Sequence, residues 1–243
     1  MTLSQIKFLL TSSRWNWYLR GLPCVDQARS LFLVRDYTMT TFKRCKNLWE
    51  IATQVSKRKI PGAFVECGVW RGGSIGLMGR ALKHTAENRP LHLFDSFQGL
   101  PEPEEIDGVT AKEYSSGKSE GRLTAIARCE ANLGEVQKFL LERLQLDPKN
   151  IHFHVGWFQD TVAKDAGQVG DIAILRLDGD WYASTRICLE NLYPRLVPGG
   201  FVILDDYFWW EGCRKATDEF RAELGISAPI VPVDGECAYW IKP

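Results

Sequence analysis

Apolar side chains at Phe42, Leu48, Trp49, Ala52 and Val55 recur at helical spacing and predict a helix within residues 39–55. Lys57-Arg58-Lys59 supplies cations where a helix C-terminus favours them, and Pro61-Gly62 stops the run. Beyond that point the pattern changes to short apolar runs that end in polar or glycine-rich sequence. Residues 63–65 run into Glu66-Cys67-Gly68, residues 91–94 into Asp95, and residues 151–155 into Gly156. Residues 172–177 run into Asp178-Gly179-Asp180, and residues 201–204 into Asp205-Asp206. Helices are predicted from Ser74 onward, with Ile75, Leu77, Met78, Ala81 and Leu82 facing inward, over 184–193 and over 211–224. A Gly/Pro/Glu-rich loop over 98–118 precedes a further predicted helix from about Gly121 to Leu146, broken near Gly134. Strands alternating with helices predict a parallel sheet covered by helices on both faces.

The C-terminal end breaks the alternation. Residues 229–233 and 236–241 are strand-like and are separated only by Asp234-Gly235, a strong hairpin signal. Five parallel strands followed by an antiparallel hairpin is the α/β layout of the class I methyltransferase (Rossmann-like) sheet. A dinucleotide dehydrogenase would continue with another parallel unit instead. The first sixty residues read as helical and polar-aromatic, so the chain divides into a helical N-terminal extension over 1–60 and a main domain over 61–243.

Composition narrows the class. The 243 residues are 45% hydrophobic and 25% charged, enough for a sizeable core at ~100–200 residues per domain. Thirty Lys+Arg balance thirty Asp+Glu, which argues against a protein built to hold nucleic acid. No apolar run approaches the ~20 residues of a membrane span. The cluster Phe8-Leu9-Leu10 is followed by no small-residue cleavage site, which argues against a secretory signal. Seven cysteines form no CxxC pair and read as reduced thiols of a cytoplasmic protein. A homo-oligomeric state is compatible with this composition.

In an open α/β sheet, ligands gather outside the carboxyl ends of the strands. Glu66, Asp95, Asp178, Asp180, Asp205 and Asp206 all follow apolar runs and belong to that rim. Any one of them is explained as a turn former or helix cap. Together they repel one another unless something cationic neutralises them, and that is the informative pattern. Asp178, Asp205 and Asp206 end adjacent strands, and carboxylate oxygens clustered without His or Cys suit Mg²⁺ or Ca²⁺ rather than zinc.

Residues 64–74, FVECGVWRGGS, form a glycine-rich strand-to-helix turn in which Gly68 permits close backbone approach. The helix N-terminus near Ser74 attracts an anionic group. Gly68 and Gly72 are four apart, so the dinucleotide fingerprint fails. Asp95, closing the second run, is placed to accept from ribose hydroxyls, a role shared by NAD, FAD and S-adenosylmethionine sites. His152 and His154 alternate on the third run and read as core or surface histidines, and no GxSxG elbow is present. Tyr182, Tyr207, Phe208, Trp209 and Trp210 lie beside the acids, either as a pocket wall or as ordinary aromatic core.

The blocks FVECGVWRGGS, LFDSFQGLPEP, LRLDGDWYAST and PGGFVILDDY, in that order, resemble the metal-dependent macrocin-type sugar O-methyltransferases of antibiotic biosynthesis. The resemblance runs from about Met39 to the C-terminus. It implies S-adenosylmethionine as methyl donor, a Mg²⁺ ion, and a small-molecule hydroxyl acceptor, often on a deoxysugar of a glycosylated natural product. It implies that Glu66, Gly68 and the neighbouring Cys67, Val69, Trp70 and Ser74 hold the methionine part of the cofactor. Asp95 and Ser96, with Phe97 beside them, hold the ribose, while Phe158, Gln159 and Asp160 lie near the adenine. Thr38 and Met39 match a cofactor-side segment. Asp178, Asp205 and Asp206 match the metal triad, with Asp178 also facing the cofactor and serving as general base. In the family the N-terminal region helps form a lid over the acceptor.

Two other readings remain open at this level. A non-catalytic nucleoside-binding regulatory module would keep the glycine turn with a degraded acid cluster, whereas the cluster here is intact. A catechol-type O-methyltransferase also uses vicinal hydroxyls on a metal, but usually with Asn among the ligands.

Overall fold

A computed structural model of the chain describes residues 25–243. The helical reading of residues 1–24, the Phe8-Leu9-Leu10 cluster and Cys24 lie outside the described residues. The parallel strands are β1 (Ala63–Cys67), β2 (Leu91–Asp95), β3 (Ile151–Val155), β4 (Ile172–Leu177) and β5 (Leu196–Leu204). The hairpin strands are β6 (Val231–Pro232) and β7 (Ala238–Ile241). The sheet order is β3-β2-β1-β4-β5-β7-β6, with β7 antiparallel to both β5 and β6. The strand order reverses at β1, which pairs with β2 on one side and β4 on the other. The crevice for a ligand therefore opens between the carboxyl ends of β1 and β4.

Each strand sorts its side chains between two cores with period two. Phe64 joins a core built with α1 (Val25–Val34), α2 (Phe42–Lys57) and α3 (Gly73–Thr85). Ala63, Val65 and Cys67 join the opposite core, built with α6 (Phe158–Val169), α7 (Tyr182–Leu192) and α8 (Glu211–Glu223). Leu31, Val34, Leu48, Trp49, Ala52 and Val55 are buried, so the segment from Val25 to Lys57 packs directly into the core of the sheet. Thr41 caps α2 by accepting the Arg44 N–H at 3.3 Å. No helix among the described residues is long and apolar enough to cross a membrane.

Two stretches depart from the sequence expectation. The predicted helix over 121–146 exists only as α5 (Leu133–Lys138), continued by a π-helical turn at Phe139–Arg143. Before Asn132 the backbone bonds across to another segment instead of to itself. Leu100 N–H donates to Arg128 O, Glu102 N–H to Arg122 O, and Ile126 N–H to Leu100 O. Ala127 and Cys129 adopt left-handed φ of 58°, incompatible with a continuing helix. Conversely, α6 follows β3 where no helix was expected, burying Val162, Ala166 and Val169 at helical spacing. The 98–118 loop also contains α4 (Gly108–Tyr114). Its start is fixed by Asp107, which accepts from the Glu104 N–H at 2.7 Å and from the Tyr182 N–H of α7 at 2.6 Å.

The histidines stack along β2 and β3. His92 lies on His152 with ring centroids 4.6 Å apart, and His92 Nδ1 meets His154 Nε2 at 3.0 Å. His154 Nδ1 lies 3.0 Å from Asp165 of α6. Asp165 as carboxylate only accepts, so His154 donates to it through Nδ1. His92 and His154 are buried and His152 is exposed, so this group ties α6 to the sheet.

Candidate active site

The glycine turn forms because the chain passes against the end of β4. Gly68 has φ +88°, and an added Cβ would stand 1.8 Å from the Asp178 carbonyl oxygen. Asp178 N–H donates back to the Cys67 carbonyl at 2.8 Å, locking β1 and β4 together at the crevice. Glu66 is fully buried and accepts the Ile75 N–H at 2.9 Å through Oε2, satisfying one of the open donors of the α3 N-terminus. Asp95 clamps the turn from the far side. Its Oδ2 accepts from the N–H groups of Val69 at 2.6 Å and Trp70 at 3.0 Å, and its Oδ1 accepts from Phe97 at 2.6 Å. Trp70 and Phe97 are non-glycine residues with φ of 47° and 56°, so Asp95 holds two strained positions in place. About one of the four lone-pair directions of this carboxylate remains for a ligand hydroxyl.

Two buried arginines face the acidic rim. Arg176 stands in the middle of an apolar strand, is 3% exposed, and reaches Glu66 Oε1 at 2.8 Å, Asp178 Oδ2 at 2.9 Å and Asp205 Oδ1 at 2.7 Å. Arg44 of α2 reaches Asp205 Oδ2 at 2.8 Å and Asp234 Oδ2 at 2.8 Å, and also contacts Glu236. Together they supply counter-charge that the sequence reading lacked. The compensation is incomplete, because Asp178, Asp180, Asp205, Asp206 and Glu66 share these two guanidinium groups. Burial pushes the Asp178 carboxyl up to about 6 despite Arg176, with Asp205 adding to the rise. Burial and then Asp178 push Asp180 up to about 8. Asp206 is raised well above the usual carboxylate range by burial and by Asp180, Asp178 and Asp205.

Carboxylate oxygens of Asp178, Asp205 and Asp206 lie within 4.8 Å of one another. Asp206 Oδ2 is buried without a hydrogen-bond partner, an expensive state for a carboxylate. Asp178 Oδ1 has no hydrogen-bond partner among the described residues. Asp205 differs, since both its oxygens already accept from arginine. Hard oxygen donors, net negative charge and an orphaned buried oxygen fit a divalent cation such as Mg²⁺.

These groups line one cavity of about 270 Å³. Of the residues expected at the cofactor, Thr38, Met39, Glu66, Gly68, Val69, Trp70, Ser74, Asp95, Ser96, Phe158, Gln159 and Asp178 line it, as do Asp205 and Asp206. Three do not. Cys67 points into the opposite core because strand side chains alternate, and Phe97 packs into the first core beside Phe153. Asp160 is exposed on the first turn of α6, away from the lining. Residues absent from the sequence expectation include Arg44, Arg176, Tyr37, Pro101, Tyr114, Cys129, Trp157 and Glu236. Arg176 carried a signal: a charge inside the otherwise apolar IAILRL run requires buried partners. Of the aromatic group, Trp209 and Trp210 line the cavity, whereas Tyr207 and Tyr182 turn away to donate to Asp218 and Glu219 at 2.6 and 2.7 Å.

A sheet of this order, with a ligand cavity over its switch point and acids at the strand ends, defines a class I methyltransferase fold. Residues 33–242 match the family model described as Macrocin-O-methyltransferase (TylF), and the chain belongs to that family of O-methyltransferases. It is 39% identical over 206 residues to the 8-demethyl-8-(2,3-dimethoxy-α-L-rhamnosyl)-tetracenomycin-C 4'-O-methyltransferase of Streptomyces olivaceus, covering 84% of this chain and 75% of that protein. Against the demethyldecarbamoylnovobiocin O-methyltransferase of Streptomyces niveus it is 35% identical, with the same shares covered. The structure of the O-methyltransferase NovP superposes with a TM-score of 0.71 at 34% identity, covering 85% of this chain and 82% of that one. The SAH-bound Podospora anserina methyltransferase PaMTH1 shares the fold, with a TM-score of 0.57 at 12% identity over 93% of this chain and 91% of that one.

Proposed function

We propose that this protein transfers the methyl group of S-adenosylmethionine to a hydroxyl on a sugar of a glycosylated natural product, with Mg²⁺ held by Asp178, Asp205 and Asp206. The carrying observation is the orphaned, buried Asp206 Oδ2 beside Asp178 and Asp205, in the same cavity as the Gly68 turn. The activities for which the relatives are named, O-methylation of a rhamnosyl tetracenomycin and of demethyldecarbamoylnovobiocin, support the acceptor class.

In this reading Glu66, Gly68, Val69, Trp70 and Ser74 hold the methionine part, and Asp95 with Ser96 takes the ribose. Phe158 and Gln159 border the adenine. S-adenosylmethionine supplies an electrophilic methyl for in-line displacement by the acceptor oxygen. A divalent cation there would supply Lewis acidity that lowers the pKa of a hydroxyl bound to it. Asp178 accepts the acceptor proton at Oδ1 while Arg176 fixes its Oδ2. Asp205, tied by both arginines, anchors the cluster, and Asp206 contributes the oxygen that no protein donor satisfies. Holding donor and acceptor in line is worth up to ~7–11 kcal/mol. Tyr37, Thr38, Met39 and Thr40 border the cavity, which supports a covering role for the segment before residue 60. The free thiols among the described residues accord with a cytoplasmic location.

The test is transfer of labelled methyl to a panel of 6-deoxyhexosides and catechols, in Mg²⁺ and in EDTA. Glycoside methylation that stops in EDTA and returns with Mg²⁺ is expected. Methylation of catechols alone would replace the acceptor reading, and turnover indifferent to chelation would remove the metal.

A further inference from the structure

The turn after β5 builds an aromatic strip leading out of the cavity. Trp209 and Trp210 N–H groups both donate to the Asp206 carbonyl at 3.0 Å, and Phe208 N–H donates to the Glu236 carbonyl at 2.8 Å. The turn is thus fixed at both the acid cluster and the C-terminal hairpin. Trp210 is buried, donates through Nε1 to Asp180 Oδ1 at 2.6 Å, and packs edge-on against Trp181 and Tyr114. Trp209 meets Trp210 at 6.1 Å with planes 77° apart, lines the same cavity, and is 55% exposed. Its Nε1 has no hydrogen-bond partner among the described residues. The core does not account for this residue, because more than half of its large apolar surface stays in water.

We infer that Trp209 is the platform on which the sugar ring of the acceptor stacks, an inference that rests on the glycoside reading above. A pyranose has a face of C–H groups and a rim of hydroxyls. The indole face matches the first, since its π-cloud is negative and its surface apolar. The rim matches the adjoining wall, where Asp178, Asp180, Asp206 and Glu236 are acceptors for a molecule with several O–H donors. Because the Trp209 N–H is tied to the Asp206 carbonyl, the platform sits at a fixed place relative to the proposed metal ligands. Trp209 therefore selects which acceptors present a hydroxyl to Asp178.

Steady-state kinetics with S-adenosylmethionine, Mg²⁺ and a panel of alkyl and aryl 6-deoxyhexosides and catechols tests this. Trp209→Ala should raise KM for the glycosides about tenfold, equivalent to ~1.4 kcal/mol, with a smaller effect on kcat. Trp209→Phe, which keeps a π-face, should stay within about threefold of wild type. Phe208→Ala, on a side chain outside the cavity lining, should leave KM unchanged. Calorimetric affinity for S-adenosylmethionine should be equal in wild type and both Trp209 variants, which also reports on folding. Glycoside methylation with an unaltered KM in Trp209→Ala overturns the platform and leaves the glycoside reading standing. Methylation of catechols alone, or of neither class, removes the glycoside reading and the platform with it.

Discussion

Replacing Arg176 by Met keeps most of the side-chain volume and deletes the charge that three carboxylates share. Two of the three, Glu66 and Asp205, have side chains only 1% and 7% exposed, so water cannot take over from the guanidinium. Asp178, at 29%, is partly screened and contributes less. Breaking a buried pair in this way costs ~3–5 kcal/mol; Asp205 keeps Arg44, so the loss falls mainly on Glu66, whose buried carboxylate is left without a counter-charge. Arg186 makes a matched control. It also bridges two carboxylates, Glu190 and Glu223, but their side chains are 48% and 55% exposed. Such surface pairs are worth ~0–1 kcal/mol. Urea unfolding of wild type, Arg176→Met and Arg186→Met should therefore show a large loss for the first variant and a small one for the second. Adding Glu66→Gln to Arg176→Met should recover part of the loss, since one uncompensated charge is gone. If Arg176→Met costs no more than Arg186→Met, the claim that this arginine neutralises the rim is wrong.

Three further outcomes follow from single contacts. Gly68→Ala should lose at least ~1–2 kcal/mol from the left-handed backbone alone. The 1.8 Å approach of its Cβ to the Asp178 carbonyl should also displace that strand end, so S-adenosylmethionine affinity by calorimetry falls with stability; unaltered affinity would contradict the turn's proposed role. Asp95→Ala strands the N–H groups of Val69, Trp70 and Phe97 and should cost ~1–3 kcal/mol in urea, with nucleoside affinity dropping as the turn relaxes; equal stability would show the clamp to be idle. Burial, then His152 and His154, lower His92 to about 3, below its unfolded value near ~6.5. The unfolded chain therefore binds that proton first, and stability present above pH ~6.5 declines as pH falls toward about 3, by up to ~1.4 kcal/mol per unit. His92→Phe should show a shallower acid limb below pH ~6.5, and parallel limbs there would remove the linkage.

The parallel strands, the hairpin and the acids of the rim were legible because buried parallel strands read as apolar runs and their ends as polar breaks. What escaped has identifiable causes. Residues 122–128 carry apolar periodicity, yet their backbone groups pair with Leu100 and Glu102, a choice made by tertiary partners and invisible in local pattern. The α6 helix is written in Val162, Ala166 and Val169, three apolar positions spread among polar ones and therefore a faint periodic signal. Cys67 fell on the wrong side because adjacency in sequence places strand residues on opposite faces. The arginines matter most. Arg176 reads as a blemish in an apolar run and Arg44 as one more polar residue on α2, until the fold brings both to Asp205. Acids gathered on one rim need counter-charge, and Arg44 and Arg176 supply part of it from within the chain.

What the two arginines leave uncompensated is the ground for a metal, and Asp206 is where the claim is exposed. Chelator-treated protein titrated calorimetrically with Mn²⁺, wild type beside Asp206→Asn, measures it without reference to turnover. One ion per wild-type chain and none for Asp206→Asn is the expected result. The metal-free variant should also be at least as stable as wild type in urea, because a buried, unpartnered carboxylate has been removed. No binding by wild type, or the same isotherm for both proteins, would contradict the claim.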